Sequence, residues 1–81
     1  MYIRYSYRAA RQFRALSTIS QQRLAEKMIF FAAQNNLLRF ARYISNEHMY
    51  RFRIGDYRIF FTIINEIIWV AKIERRDKAY E

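Results

Sequence analysis

The sequence predicts an α+β fold in which an N-terminal strand and two helices precede an antiparallel β-meander that packs against the helices. Residues 49–71 are predicted to form two successive β-hairpins, and in residues 49–54 the side chains alternate with the period of two expected of a strand with one buried face. Residues 8–33 show helical spacing instead, and a short alternating stretch precedes them. Two pairs of turn-forming residues divide the later segment into successive strands, which gives the meander.

The composition limits the kind of protein this can be. At 81 residues the chain is expected to form one domain, residues 1–81, with a shallow groove rather than a deep internal site. It contains no Cys and one His, so a thiolate nucleophile, a disulfide framework or a zinc site has little support, and no metal or cofactor is expected. Because Asn65, Glu66 and Lys72 interrupt the most hydrophobic stretch, no membrane span is predicted. We expect a soluble, cytoplasmic protein with no membrane partner.

The charge predicts an anionic partner. The formal net charge is +8, and most of the 15 basic residues are Arg, whose planar guanidinium matches phosphate better than an ammonium does. Aromatic residues make up 19% of the chain and are interleaved with Arg, which suits stacking on unpaired bases and favours nucleic acid over acidic protein or lipid. The absence of acidic residues before Glu26 also fits a mitochondrial presequence, although residues 2–7 fit a strand better.

The first elements are a strand and a short basic helix. Residues 2–7 alternate as a strand, with Ile3, Tyr5 and Tyr7 on one side and Arg4 and Ser6 on the other. In residues 8–16, Ala9, Phe13 and Leu16 fall at i, i+4 and i+7, which places them on one helical stripe and leaves Arg on the other faces.

A second helix is predicted to begin at Thr18, because Thr18 followed by Gln21 forms a candidate capping box, and to end near Ala33. Residues 28–33 are apolar nearly all round, which a helix with one side in water does not require. Either the sheet and first helix bury this segment or a partner does. The residues expected to face the core are Leu24, Met28 and Phe31.

The connection to the meander is the least regular part of the sequence. Asn35 and Asn36 are predicted to end the helix in the left-handed conformation. Residues 37–47 fit either a continued helix or a short extended piece that leads into the sheet, and we favour the extended piece.

The first hairpin turn is predicted at Gly55 and Asp56, because tight two-residue loops favour these residues. This register places Arg53 opposite Arg58 and puts Arg51 on the same face. Like charges directly opposite each other are destabilising. Either the long stems splay into solvent and cover apolar surface, or the arginines form an anion site, which is the interpretation we favour.

The second hairpin turn is predicted at Asn65 and Glu66, although Glu is a poor residue for positive φ. The predicted cross-strand pairs are Ile63 with Ile68, Thr62 with Trp69, and Phe61 with Val70.

The order of elements, with YRFRIGDYRIFF at residues 50–61 and RRDKAY at residues 75–80, resembles the RelE/ParE superfamily of type II toxin–antitoxin toxins. The RelE branch consists of ribosome-dependent endoribonucleases that cut mRNA in the A site, and the ParE branch inhibits DNA gyrase. The resemblance implies a RelE-like fold and, as leading function, a metal-independent mRNA interferase. The partners it implies are a RelB-like antitoxin, the 70S ribosome and mRNA. The alternatives are a ParE-like gyrase inhibitor and a catalytically decayed basic binding protein.

The resemblance also implies a set of site residues. The basic positions before the first turn fall on Arg51 and Arg53, where the best-known RelE-type enzymes have lysines, and the position after it falls on Arg58. The basic residue after the last strand falls on Arg75, and the aromatic residue near the end falls on Tyr80. Because Arg stays protonated, the arginines are expected to act as electrostatic clamps, whereas Tyr80 would relay a proton or stack on a base. Further RNA contacts are expected from Arg4, Arg11, Arg76 and Lys78.

Few side chains of this predicted site titrate near neutral pH. The Glu and His that act as acid and base in another RelE-like branch have no counterpart that the sequence identifies. His48, at a strand entry, fits a surface or packing residue better than a base. Such an enzyme should be slow on free RNA, and a ribosome that fixes the mRNA geometry would supply what the side chains lack.

Overall fold

A computed structural model describes residues 1–75 and confirms the predicted fold class. The elements are β1 (Tyr2–Tyr5), α1 (Tyr7–Arg14), α2 (Thr18–Ala32), a 3₁₀ helix (Leu37–Phe40), β2 (Ala41–Ile44), β3 (Met49–Ile54), β4 (Tyr57–Ile64) and β5 (Ile67–Arg75). The meander β2–β3–β4–β5 is antiparallel, and β1 pairs with β5 in parallel, so the sheet order is β1-β5-β4-β3-β2.

The first strand is shorter than predicted, because Ser6 begins a helix. The Ser6 hydroxyl accepts a 3.0 Å hydrogen bond from the backbone N–H of Ala9, which is the geometry of an N-cap. Tyr7 is therefore the first residue of α1 and not the end of a strand. The strand pattern of residues 2–7 gives way at Ser6 because a local cap satisfies the first turn of the helix.

Helix α2 begins at Thr18, but its N-cap lies one residue before the predicted one. Ser17, not Thr18, is the N-cap, and its hydroxyl accepts a 3.1 Å hydrogen bond from a backbone N–H of the first turn. Gln21 does not complete a capping box. Its side-chain amide instead donates to the carbonyl oxygens of Arg14 and Leu16, which closes the end of α1.

The predicted inward stripe of α2 is confirmed, since Leu24, Met28 and Phe31 are all buried. Phe31 stacks on Phe52 of β3 with ring centroids 4.2 Å apart, and Phe52 stacks on Phe61 of β4 at the same distance. This row of three rings joins the helix to the middle of the sheet.

The other side of α2 is left uncovered by residues 1–75. Ile29 is 65% exposed and Phe30 is 46% exposed, whereas Ala32 is buried. Burial within the fold therefore explains only one side of the apolar segment 28–33. The other side is left for the second explanation, which is a partner.

The predicted left-handed end of α2 is wrong. Ala33 caps the helix in the right-handed conformation, and neither Asn35 nor Asn36 has a positive φ. The Gln34 side chain donates a 3.1 Å hydrogen bond to the carbonyl oxygen of Phe30, so a side chain satisfies this turn where a left-handed residue was expected. The chain then forms a 3₁₀ turn before the extended piece we favoured, which is β2.

Both predicted hairpin registers are confirmed. Arg53 pairs with Arg58 across the first turn, where Gly55 has a φ of 58°. At the second turn, Asn65 and Glu66 have φ values of 50° and 61°, so Glu66 adopts the left-handed region despite its side chain.

Candidate nucleic-acid interface

The sheet has two faces, and the arginines of the first hairpin lie on the one opposite the helices. Phe52 and Ile59 are fully buried beneath the helices. Because side chains alternate along a strand, their neighbours Arg51, Arg53 and Arg58 project from the other side, which we call the outer face. The structure thus brings three of the predicted site residues together.

A β-bulge reverses the faces on which the side chains at the end of β5 lie. Phe61 pairs with Val70, as predicted, but Phe60 pairs with Lys72, so Ala71 is an extra residue in β5. In a regular register Lys72 would point toward the helices. The bulge places it on the outer face.

The same shift separates Arg75 from the other predicted clamps. Glu74 pairs with Arg58 on the outer face, whereas Arg75 pairs with Tyr57 on the helix face. The guanidinium carbon of Arg75 lies 5.8 Å from the centroid of the Tyr57 ring. There Arg75 lines a groove of about 400 Å³, together with Arg23, between the α1–α2 junction and the turn after β3.

Two side chains from the start of the chain hold the bulge. The Ser6 hydroxyl donates a 2.7 Å hydrogen bond to the carbonyl oxygen of Ala71. The Gln12 side-chain oxygen accepts a 2.7 Å hydrogen bond from the backbone N–H of Ile73. Since β1 ends at Tyr5, these contacts replace strand pairing along the remaining edge of β5.

Lys72 binds two carboxylates on the outer face. Its Nζ lies 2.6 Å from Glu47 Oε1 and 3.2 Å from Glu74 Oε2, and it sits 4.6 Å from the centroid of the buried Phe60 ring. The hydrogen bond to Glu47 raises the pKa of Lys72, against the opposing effect of burial and with further support from Glu74. Lys72 therefore stays protonated at neutral pH and links the β2–β3 turn to β5.

Sequence reasoning missed this group of charges. Lys72 and Glu74 are two residues apart, which places them on one face of a strand, but the regular register assigned them to the helix face. Only the bulge, which the sequence does not reveal, moves them next to Arg58.

Arg42 was also missed, because the boundaries of β2 were not predicted. It pairs with Arg51 on the outer face, and both line a groove of about 220 Å³ with Arg39 and Arg53. We call Arg42, Arg51, Arg53 and Arg58 the arginine cluster.

The remaining predicted residues have different positions. Arg4 pairs with Trp69 on the outer face, near the edge of the sheet opposite β2. Arg11 is exposed on α1 near the Tyr7 ring, in the helical layer and away from the arginine cluster. His48 is an exposed turn residue with a φ of 56°. The predicted residues Arg76, Lys78 and Tyr80 lie outside the described residues.

Residues 1–75 contain no group of three or more His, Cys, Asp or Glu side chains placed to hold a metal ion. Within the same range, no helix is long and apolar enough to cross a membrane.

Three solved structures resemble this fold. The RelBE2 toxin–antitoxin complex of Mycobacterium tuberculosis matches with a TM-score of 0.76 and 20% identity, over 93% of this chain and 96% of that chain. The intact E. coli RelBE toxin–antitoxin complex matches with a TM-score of 0.72 and 15% identity, over 91% and 94%. The archaeal RelE–RelB complex of Pyrococcus horikoshii OT3 matches with a TM-score of 0.72 and 17% identity, over 93% of each chain. At these identities the likeness shows the fold alone.

The family is shown by the sequence itself. A comparison with curated proteins gave no match. A family model does match, described as the ParE toxin of the type II toxin–antitoxin system parDE, and it covers residues 3–80. Because that match spans nearly the whole chain and agrees with the fold, this protein is a type II toxin and belongs to the ParE family of the RelE/ParE superfamily.

Proposed function

We propose that this toxin is a metal-independent endoribonuclease that cleaves mRNA in the ribosomal A site. The observation that carries the proposal is the direct pairing of Arg53 with Arg58 on the outer face, with Arg51 beside them. Two guanidinium groups in this position repel each other. A bound phosphate would relieve the repulsion and accept hydrogen bonds from both.

The proposed reaction is an internal transfer at phosphorus. The 2′-oxygen attacks the adjacent phosphorus, the bond to the 5′-oxygen breaks, and the products are a 2′,3′-cyclic phosphate and a 5′-hydroxyl. Negative charge grows on the non-bridging oxygens and on the leaving oxygen. Arg51, Arg53 and Arg58 remain protonated throughout and would stabilise this charge.

The proton of the 2′-hydroxyl needs an acceptor. Glu74 is the carboxylate that lies opposite Arg58 in the β4–β5 register, and we assign it this role. Lys72 is unsuited to act as the base, because its pKa is raised and it is protonated. It would instead hold Glu74 in place through their 3.2 Å contact. The role of Tyr80, which is to donate or relay a proton or to stack on a base, and the role of Arg75 as a clamp stay predictions from the resemblance.

A RelB-like antitoxin is the proposed regulatory partner. The three solved structures compared above are toxin–antitoxin complexes. On this chain, Ile29 and Phe30 are exposed on α2, and Phe30 lies 5.7 Å, between ring centroids, from the equally exposed Phe40. An acidic segment with apolar side chains would cover this patch and be attracted by the net charge of +8.

Inhibition of DNA gyrase is the second candidate, because the family model that matches is that of ParE. Brief induction in cells followed by primer extension on mRNA separates the two. The interferase predicts cuts in register with codons, and a supercoiling assay with purified gyrase should show no inhibition. Gyrase inhibition without mRNA cuts would replace the proposal.

A further inference from the structure

Exposed aromatic side chains lie on the outer face near the β1 edge of the sheet, away from β2. Tyr2 on β1 is 78% exposed, and Trp69 on the neighbouring β5 is 38% exposed. Arg4 pairs with Trp69, and Tyr2 pairs with Ile67, so Tyr2, Arg4 and Trp69 are neighbours on the same face. We call Tyr2, Arg4 and Trp69 the aromatic platform.

The platform lies on the same face as the arginine cluster. Trp69 pairs with Thr62, which is four residues along β4 from Arg58, so the two sites are offset by about 13 Å along the strands at 3.3 Å per residue. Lys72 lies between them and engages both Glu47 and Glu74. No helix of residues 1–75 covers this face, since α1 and α2 pack on the other side.

The chemistry of the platform fits single-stranded nucleic acid. Flat rings on an open sheet accept unpaired bases by stacking, and an adjacent Arg contacts the phosphate that links them. We propose that RNA bound at the arginine cluster continues across the outer face and stacks one base on Trp69, with Arg4 on the neighbouring phosphate. The inference rests on the proposed endoribonuclease function and adds a second RNA subsite to it.

Trp69 is the only Trp in the sequence, so its fluorescence reports on this site directly. Purified toxin is titrated with a short single-stranded oligoribonucleotide whose 2′-O-methyl sugars prevent 2′-oxygen attack. We expect the oligonucleotide to quench Trp emission. The midpoint of this titration should equal that of the anisotropy change measured with a fluorescently labelled oligonucleotide of the same sequence. Inorganic polyphosphate, which has charge but no bases, should compete for binding without quenching.

Three variants test the individual contacts. Trp69→Ala should weaken oligonucleotide binding roughly five- to a hundredfold, whereas Trp69→Phe, which keeps a ring, should restore most of it. Arg4→Ala should weaken binding and lower the salt dependence by about one phosphate contact. Tyr7→Ala removes a ring as exposed as that of Tyr2, but from α1 and away from the outer face, and should leave affinity unchanged.

The outcomes separate this inference from the proposed function. An oligonucleotide that binds without quenching, or that binds Trp69→Ala as tightly as wild type, overturns the platform and leaves the arginine cluster standing. Quenching by polyphosphate equal to that by RNA also overturns it, because stacking would then not be the cause. A lack of binding overturns it as well, whereas the primer-extension experiment alone decides the nuclease.

Discussion

Replacing Arg58 with Ala is expected to abolish growth inhibition while leaving the protein folded. Arg58 is half-buried on the outer face, between Arg53 on β3 and Glu74 on β5. Removing a preorganised donor to a developing oxyanion typically costs a factor of about 100 to 1,000 in rate. Cleavage slowed this much should fall below what arrests growth.

The stability change should be small, because two neighbouring effects oppose each other. Loss of the repulsion from Arg53 stabilises the protein by up to about 1 kcal/mol, and loss of the attraction to Glu74 destabilises it by a similar amount. The melting temperature should therefore move by no more than about 4 to 8 °C in either direction.

The assay combines growth after induction, primer extension on cellular mRNA and thermal unfolding followed by circular dichroism. Arg14→Ala is the matched control, since it removes the same charge from the exposed surface of α1. Undiminished toxicity in a folded Arg58→Ala protein would refute the role of the arginine cluster in the reaction.

Three further predictions concern the antitoxin, the charge network and the bulge. Phe30→Ser should weaken antitoxin binding measured by calorimetry without changing toxicity, whereas Ile19→Ser, at the far end of α2, should not weaken it. For wild type, the association rate with the antitoxin should decrease as salt is raised from about 50 to 500 mM. Lys72 has a raised pKa, so its stabilising contribution is full below about 10.5 and is lost as the pH rises through the raised value. Urea unfolding at alkaline pH should show a smaller loss in the free energy of unfolding for Lys72→Met than for wild type. Equal losses in the two proteins would contradict the stabilising role of Lys72. Ser6→Ala should lower the free energy of unfolding by about 1 to 2 kcal/mol, and by more than Ser17→Ala, because Ser6 supplies both a helix cap and the bond to β5. Equal losses would show that the bond to the bulge contributes nothing.

Local signals in the sequence were enough to predict the two hairpins. A two-residue turn at Gly55 and Asp56 fixes the pairing of every residue on both sides, and alternation then decides which face each side chain occupies. Arg53 could therefore be placed opposite Arg58 without knowledge of the rest of the fold. The inward stripe of α2 was predictable for the same reason, since helical spacing alone defines it.

The bulge could not be predicted, because its determinants are distant in sequence. Ala71 carries no turn or strand-breaking signal. The groups that hold the bulge, Ser6 and Gln12, are more than 50 residues away in sequence and meet β5 only once β1 and α1 are in place. The shortened first strand has the same origin, since Ser6 serves the helix and the bulge at once.

Arg75 shows how far a function can be transferred by position in a motif. Its motif position assigns it to the same clamp as Arg58, but the bulge orients it toward the helix face, beside Tyr57. If the position of Arg75 in the motif determines its role in the reaction, Arg75→Ala should reduce toxicity as much as Arg58→Ala does. If the face of the sheet determines that role, Arg75→Ala should retain toxicity. From the geometry we expect retention, measured by growth and primer extension with both variants induced to equal levels. Equal loss in the two variants would mean that the Arg75 guanidinium reaches the RNA around the end of the sheet, and the clamp would then include both faces.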